Sequence, residues 1–108
     1  MPSDKEFLDY VLDRLSGLED ISYRYMMREY IIYYKGRVAG GIYDNRLLVK
    51  PTKSAANYMP DAEYELPYEG GKEMLAVDNI DDKDYLKGLF EAMFDELLPP
   101  KTKKKNQK

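Results

Sequence analysis

The sequence predicts an α+β fold, a two-layer sandwich in which helices pack on an antiparallel sheet. Three observations predict it: amphipathic helical patterns near both ends of the chain, a dense run of β-branched and aromatic residues from 26 to 50, and two short strand patterns between 63 and 77. Each apolar helix stripe and sheet face must be buried against another element, which favours layers. The chain has 108 residues, enough for one hydrophobic core. The predicted order is α-β-β-β-α-β-β-α.

The first predicted element is an amphipathic helix. Ser3 and Glu6 stand at the spacing of a capping box, and Gly17 offers a left-handed cap at the far end. Apolar side chains recur at helical intervals, at Phe7, Val11, Leu15 and Leu18.

Residues 26–50 predict a meander of three strands. Lys35-Gly36 and Asp44-Asn45 interrupt this apolar run. Both pairs suit two-residue hairpin turns, because Gly, Asn and Asp tolerate a positive φ.

A short helix and two strands are predicted next. Residues 53–59 form the helix, with Thr52 as its cap and Pro60 at its end. The strands cover about 63–66 and 73–77, and a loop joins them.

The last predicted element is an amphipathic helix capped by Asp81 or Asp82. Its apolar side chains form one broad stripe, made of Leu86, Leu89, Phe90, Met93, Phe94 and Leu97.

Charge divides the chain into two predicted parts. Residues 1–100, the predicted domain, carry 12 basic and 20 acidic side chains, whereas residues 101–108 carry five lysines and no acid. The final segment has no apolar residue to bury, so we expect a disordered basic tail.

The residue types exclude most catalytic chemistry. The chain contains no Cys and no His, which removes the usual nucleophile, general base and soft metal ligands. We therefore expect no enzyme activity, no catalytic residue, no cofactor and no metal. An acid-rich stretch precedes the last helix, and helix capping accounts for it without a metal; it comprises Asp78, Asp81, Asp82 and Asp84.

The sequence predicts neither a membrane span nor a secretion signal. No apolar run approaches the roughly 20 residues that cross a bilayer, and the N-terminus lacks the pattern of a signal peptide. We expect a cytoplasmic protein with no membrane partner.

The candidate site follows from the register of the meander, because residues opposite each other across a two-residue turn point to the same face. This register predicts a core face of Ile31, Tyr33, Val38, Gly40, Ile42, Leu47 and Val49. The opposite face is aromatic and basic, and its candidate interaction residues are Tyr30, Ile32, Tyr34, Arg37, Tyr43, Arg46, Leu48 and Lys50.

Tyr and Arg are enriched at protein interfaces, so this face is typical of a surface for a protein partner or a second copy of the chain. An ordinary solvated sheet face would have the same composition. Nucleic-acid binding through this face and the Lys-rich tail is an alternative, and a small enzyme that uses carboxylates is the least favoured one.

The meander also carries a family resemblance. Arg24, Met26 and Met27, followed by YIIYYKGRVAGGIYDNRLLVKPT over 30–52, resemble the N-terminal domain of the TfoX/Sxy competence regulators. The family motif has Phe and Gly where this chain has Met27 and Arg28. The resemblance implies a stand-alone domain of the secretion-chaperone-like fold, no catalytic residues, and a regulatory role exerted through protein contacts.

Overall fold

A six-stranded antiparallel sheet carries three helices on one face in the computed structural model, which describes residues 4–98. The elements are α1 (Lys5–Arg14), β1 (Ile21–Met26), β2 (Glu29–Tyr34), β3 (Arg37–Tyr43), β4 (Arg46–Val49), α2 (Lys53–Tyr58), β5 (Tyr64–Glu65), β6 (Met74–Ala76), α3 (Lys83–Met93) and a 3₁₀ turn (Phe94–Glu96). The predicted α+β class and the succession of helices and strands are confirmed. The meander contains one more strand than the sequence predicted, namely β1.

The strands lie in the spatial order β1-β2-β3-β4-β6-β5. The main core lies between the sheet and the helices, and side chains from all three helices contribute to it. A second, smaller cluster of Tyr43, Leu48 and Met74 lies on the other face of the sheet. Among residues 4–98 no helix is long and apolar enough to cross a membrane.

Side chains at the N-caps explain where α2 and α3 begin. The Thr52 hydroxyl oxygen accepts from the Ala55 amide at 3.0 Å, and the Asp82 carboxylate accepts from the Asp84 amide at 2.9 Å. Both predicted caps are therefore confirmed. The left-handed cap predicted at Gly17 is wrong, because α1 already ends at Arg14 and Gly17 keeps a negative φ. The predicted cap Ser3 and the predicted tail 101–108 lie outside the described residues.

Three two-residue turns join the first four strands. Both central residues of each turn have positive φ, as type I′ hairpin turns require; the pairs are Met27-Arg28, Lys35-Gly36 and Asp44-Asn45. The first pair contains none of the residues that tolerate this region well. Met27 has φ 53° and Arg28 has φ 71°, and each such position costs about 1–2 kcal/mol for an ordinary L-residue.

Replacing the unfavourable turn residue should stabilise the protein. We expect Arg28→Gly to raise the free energy of unfolding by about 1 kcal/mol, because glycine adopts positive φ without a steric cost. Urea denaturation measures the change. The matched control is Arg24→Gly inside β1, where φ is negative and glycine should cost about 0.5–1 kcal/mol. Equal losses for both variants would contradict the turn geometry.

Candidate functional site

The eight residues predicted to share one exposed face are divided between the two faces of the sheet, so that prediction is wrong. Four of them lie on the helix side, at Tyr30, Ile32, Tyr34 and Arg37. The other four follow β3 and β4 on the opposite face, at Tyr43, Arg46, Leu48 and Lys50.

A β-bulge in β3 causes the division. Tyr33 pairs with Val38, but the next residue of β2, Ile32, pairs with Gly40, so Ala39 is an extra residue. One inserted residue reverses the alternation of faces along a strand. The predicted core face was therefore right for Gly40, Ile42, Leu47 and Val49 and wrong for Ile31, Tyr33 and Val38.

The helix-side members of the predicted site are part of the core. Ile32 is fully buried, and Tyr34 is 4% exposed. The Arg37 guanidinium donates to the carbonyl oxygens of Phe94 and Leu97 at 3.3 and 3.2 Å and lies 4.2 Å from the centre of the Phe94 ring. These side chains hold the end of α3 on the sheet, so they cannot present a surface to a partner.

The members on the opposite face are largely occupied as well. Leu48 is fully buried, and the Tyr43 ring lies 6.2 Å from the ring of Tyr68 in the loop between β5 and β6. Burial raises the pKa of Tyr43, and the neighbouring Tyr68 and Glu29 add to the rise. Tyr43 and Lys50 do line a common groove of about 600 Å³.

Arg46 is held by the segment that contains β5. Its Nη1 is 2.5 Å from the Glu65 carboxylate, its Nη2 donates to the Leu66 carbonyl at 3.2 Å, and its Nε donates to the Tyr43 carbonyl at 3.1 Å. Three donors of one guanidinium are thus already used within the chain.

The open part of the sheet is β1, a strand that sequence reasoning missed. Among the described residues β1 has a partner strand on one side only. Its residues after Ile21 are all exposed, and it pairs with β2 in one unbroken register. The opposite edge is different, because β5 contains only two residues. Short edge strands resist pairing with other chains, whereas a long regular edge invites it.

The backbone groups that β1 presents can be assigned by residue. The Lys35 amide of β2 donates to the Asp20 carbonyl at 2.9 Å, so the Asp20 carbonyl points toward β2. Backbone direction alternates along an antiparallel strand. The N–H and C=O groups of Ile21, Tyr23 and Tyr25 therefore point outward, away from the sheet.

The side chains of the same residues form an aromatic surface on the helix side. The rings of Tyr23 and Tyr25 lie 5.8 and 5.1 Å from the ring of Tyr30. Tyr25 is nevertheless 59% exposed, and Met27 at the adjoining turn is 88% exposed. Large apolar side chains clustered on an exposed edge are typical of an interaction surface.

A mostly apolar groove of about 560 Å³, lined also by Ser16, Asp20 and Ser22, adjoins the start of β1. The end of α1 and the following loop form one wall through Leu12, Leu15 and Leu18, and β1 forms the other through Ile21 and Tyr23. We call the free edge of β1 at Ile21, Tyr23 and Tyr25, together with this groove, the edge site. Its alternation of apolar residues at 21, 23 and 25 was visible in the sequence, but Met27-Arg28 gave no turn signal.

The acid-rich stretch before α3 has structural partners. Asp82 caps α3, Asp78 accepts from the Tyr85 hydroxyl at 2.5 Å, and Asp81 accepts from the Tyr10 hydroxyl. Burial raises the pKa of Tyr85, and its hydrogen bond to Asp78 adds to the rise. Within residues 4–98 no three His, Cys, Asp or Glu side chains are grouped to hold a metal ion.

Fold and site together define a class of small α+β domain whose sheet ends in an open strand beside an apolar groove. The chain is similar to an uncharacterised 12.7 kDa protein from the trpE 5′ region of Spirochaeta aurantia. The two are 29% identical over 80 residues, which cover 74% of this chain and 70% of the relative. No family model matches the chain, and no solved structure matches it.

Proposed function

We propose that this protein is a non-enzymatic interaction or regulatory module that binds an extended segment of another polypeptide along β1. The observation that carries the proposal is the regular, exposed strand β1, whose outward backbone groups at Ile21, Tyr23 and Tyr25 have no partner strand among the described residues. An extended segment that adds to a sheet edge gains a ladder of main-chain hydrogen bonds.

The groove beside β1 supports the same proposal. In strand addition the backbone supplies affinity, and pockets for alternate side chains supply specificity. A strand paired with β1 directs every second side chain to the helix side, where the groove between Leu12, Leu18 and Ile21 can receive it. An apolar or aromatic side chain suits this lining.

The nucleic-acid alternative depended on one continuous basic and aromatic face together with the Lys-rich tail, which lies outside the described residues. The division of that face by the bulge removes its main support, because Arg37 contacts the end of α3 and Arg46 pairs with Glu65. The proposal therefore rests on protein contacts alone.

The family resemblance and the location of the protein are also proposals. The antiparallel meander between two helical segments supports a domain like the N-terminal domain of the TfoX/Sxy regulators. The absence of Cys from the sequence suits a cytoplasmic setting.

A site-specific photo-crosslinker tests the proposal. We expect a photoreactive phenylalanine analogue at Tyr25 to form covalent adducts with a polypeptide in cells of the native host. The same analogue at Tyr64 is the matched control, since Tyr64 is a tyrosine on the short edge strand β5 and is 52% exposed. Adducts are detected as mobility shifts and identified by mass spectrometry.

A second substitution tests the backbone contact. The Tyr23 amide points away from β2, so Tyr23→Pro spares the β1–β2 hydrogen bonds while it removes an outward donor. We expect it to abolish the adducts formed from position 25. Equal adduct yields from positions 25 and 64, or no adducts from position 25, would refute strand addition at β1.

A further inference from the structure

We infer that the segment bound at the edge site is β1 of a second copy of this chain, paired antiparallel about a two-fold axis at Tyr23. This inference rests on the proposed function and names the partner. Three features of β1 support it: the register that its outward backbone groups allow, the fit between Tyr25 and the groove, and the charges at its two ends.

The register follows from the direction of the backbone groups. Only Ile21, Tyr23 and Tyr25 direct hydrogen-bonding groups outward, so these residues must form the bonded pairs of any antiparallel dimer. Centring the axis on Tyr23 pairs Tyr23 with its own copy and Ile21 with Tyr25 of the second copy. Each of these pairs exchanges two N–H···O bonds. This register uses every outward group of the strand.

The two neighbouring registers are less favourable. An axis at Ser22 would leave Tyr25 beyond the strand of the second copy. An axis at Arg24 would leave Ile21 beyond the strand of the second copy and would place two Arg24 side chains directly opposite each other. Like charges in opposed positions destabilise strand pairing. With the axis at Tyr23, Arg24 lies opposite Ser22 instead.

The same axis brings a projecting side chain to the groove. Tyr25 is 59% exposed and lies on the helix side of the sheet. Ile21, four residues earlier on the same face, lines the apolar groove with Leu12 and Leu18. Pairing Ile21 with Tyr25 of the second copy places that tyrosine beside the groove. Each copy thus supplies one aromatic side chain and receives one.

Charges at the ends of β1 match in this arrangement. Glu19 and Asp20 precede β1, and Arg28 follows it in the exposed turn. Antiparallel pairing brings the start of one strand to the end of the other, so the acidic pair of each copy approaches Arg28 of the second copy. Complementary charges at the rim of an interface favour this orientation over others.

Sedimentation measures the dimer directly. We expect the purified chain to show reversible association to twice its 12.7 kDa mass with a dissociation constant in the micromolar range, because one strand pair forms a small interface. Tyr25→Lys should weaken the association by at least about thirtyfold. The matched control Tyr64→Lys, on the opposite sheet edge, should leave it unchanged. Circular dichroism checks that both variants remain folded.

Disulfide trapping tests the register. The chain has no Cys, so each engineered cysteine can pair only with its own copy. Bonded antiparallel residues have Cα atoms about 5.5 Å apart, which lies within the range of about 4.4–6.8 Å that a disulfide spans. We therefore expect Tyr23→Cys to give covalent dimers under mild oxidation, whereas Arg24→Cys, which faces Ser22, should give few.

The results distinguish the failure of the dimer inference from the failure of strand addition at β1. A chain that stays monomeric at sub-millimolar concentration, or stronger trapping through Arg24→Cys than through Tyr23→Cys, would overturn this inference. If the monomer nevertheless forms adducts from position 25 with a different protein, strand addition stands and only the identity of the partner changes. The absence of both dimer and adducts overturns both proposals.

Discussion

Gly40→Ala should destabilise this protein by about 3 kcal/mol or more. A Cβ atom at Gly40 would lie 2.1 Å from the Leu48 carbonyl oxygen and 2.7 Å from the Val49 Cα. Both are backbone atoms of β4. The clash can therefore be relieved only if a strand moves, because rotating a side chain would not remove it. The loss is large against the roughly 5–15 kcal/mol that stabilise a typical domain. Thermal and urea denaturation measure it.

Gly17→Ala is the control for that substitution. Its added Cβ would approach only the Lys87 Cδ, at 3.7 Å, which is ordinary van der Waals contact. We expect a change within about 0.5 kcal/mol. A Gly40→Ala variant as stable as Gly17→Ala would show that β3 and β4 do not approach as closely as the structure has them.

The close approach at Gly40 follows from the bulge beside it. Ala39 has no partner in β2, but its carbonyl accepts from the Lys50 amide at 2.9 Å, just beyond the end of β4. The backbone of β3 thus bends at residues 39 and 40 while both neighbouring strands stay paired. Glycine at strand positions commonly marks such a site of close backbone approach.

Local chemistry made much of the fold predictable from the sequence. Thr52 and Asp82 cap their helices with their own side-chain oxygens, and Gly36 and Asn45 accept the positive φ of tight turns. Each of these effects acts within a few residues, so the sequence near the site contains the whole signal. The order of the elements followed from those local signals.

Two features of the fold depend on strand pairing and not on the turn or capping preferences of single residues. The turn at Met27-Arg28 adopts a conformation that neither residue favours, so β1 is held by its pairing with β2 and not by its turn. The bulge at Ala39 likewise satisfies β2 and β4 together. The Gly40-Gly41 pair in β3 is typical of an irregular strand position, but the sequence of β3 alone does not specify that Ala39 is the extra residue.

The bulge at Ala39 and the unpredicted strand β1 also explain why the candidate site differs from the one that the sequence predicted. Without the bulge, Tyr34 and Arg46 were expected on one exposed face. With it, Tyr34 lies under α3 and Arg46 pairs with Glu65. The unpredicted strand β1 then supplies the open edge. The aromatic character expected of an interaction surface persists there in Tyr23 and Tyr25.

The two edge strands of the sheet differ in length and in charged side chains. This difference bears on the proposed function. At the β5 edge, the strand has two residues, and the chain around it engages Arg46 through Glu65 and Leu66. At the β1 edge, six residues run in regular register, and Arg24 is their single charged side chain. Charged, short or bulged edges limit unwanted pairing. An edge left long and aromatic is suited to a specific partner.

Tyr34→Ala should lower the free energy of unfolding by about 3–4 kcal/mol, comparable with other deletions of a buried aromatic ring. The Tyr34 ring is 4% exposed and lies 5.4 Å from the ring of Phe94 and 6.2 Å from that of Phe90. Removing it leaves a cavity between β2 and α3 and ends two edge-on ring contacts. Urea denaturation measures the loss.

Tyr33→Ala, one residue earlier, is the matched control. Tyr33 lies on the face opposite the helices and is half-buried there, so its truncation should cost about 1 kcal/mol or less. A regular register without the bulge places Tyr33 in the core and Tyr34 in solvent, which reverses the order of the two losses. Comparing the two losses therefore tests whether the extra residue Ala39 determines which side chains of β2 face the core. A larger loss for Tyr33→Ala than for Tyr34→Ala would restore the aromatic face with Tyr30, Tyr34 and Arg37 as the candidate interaction surface.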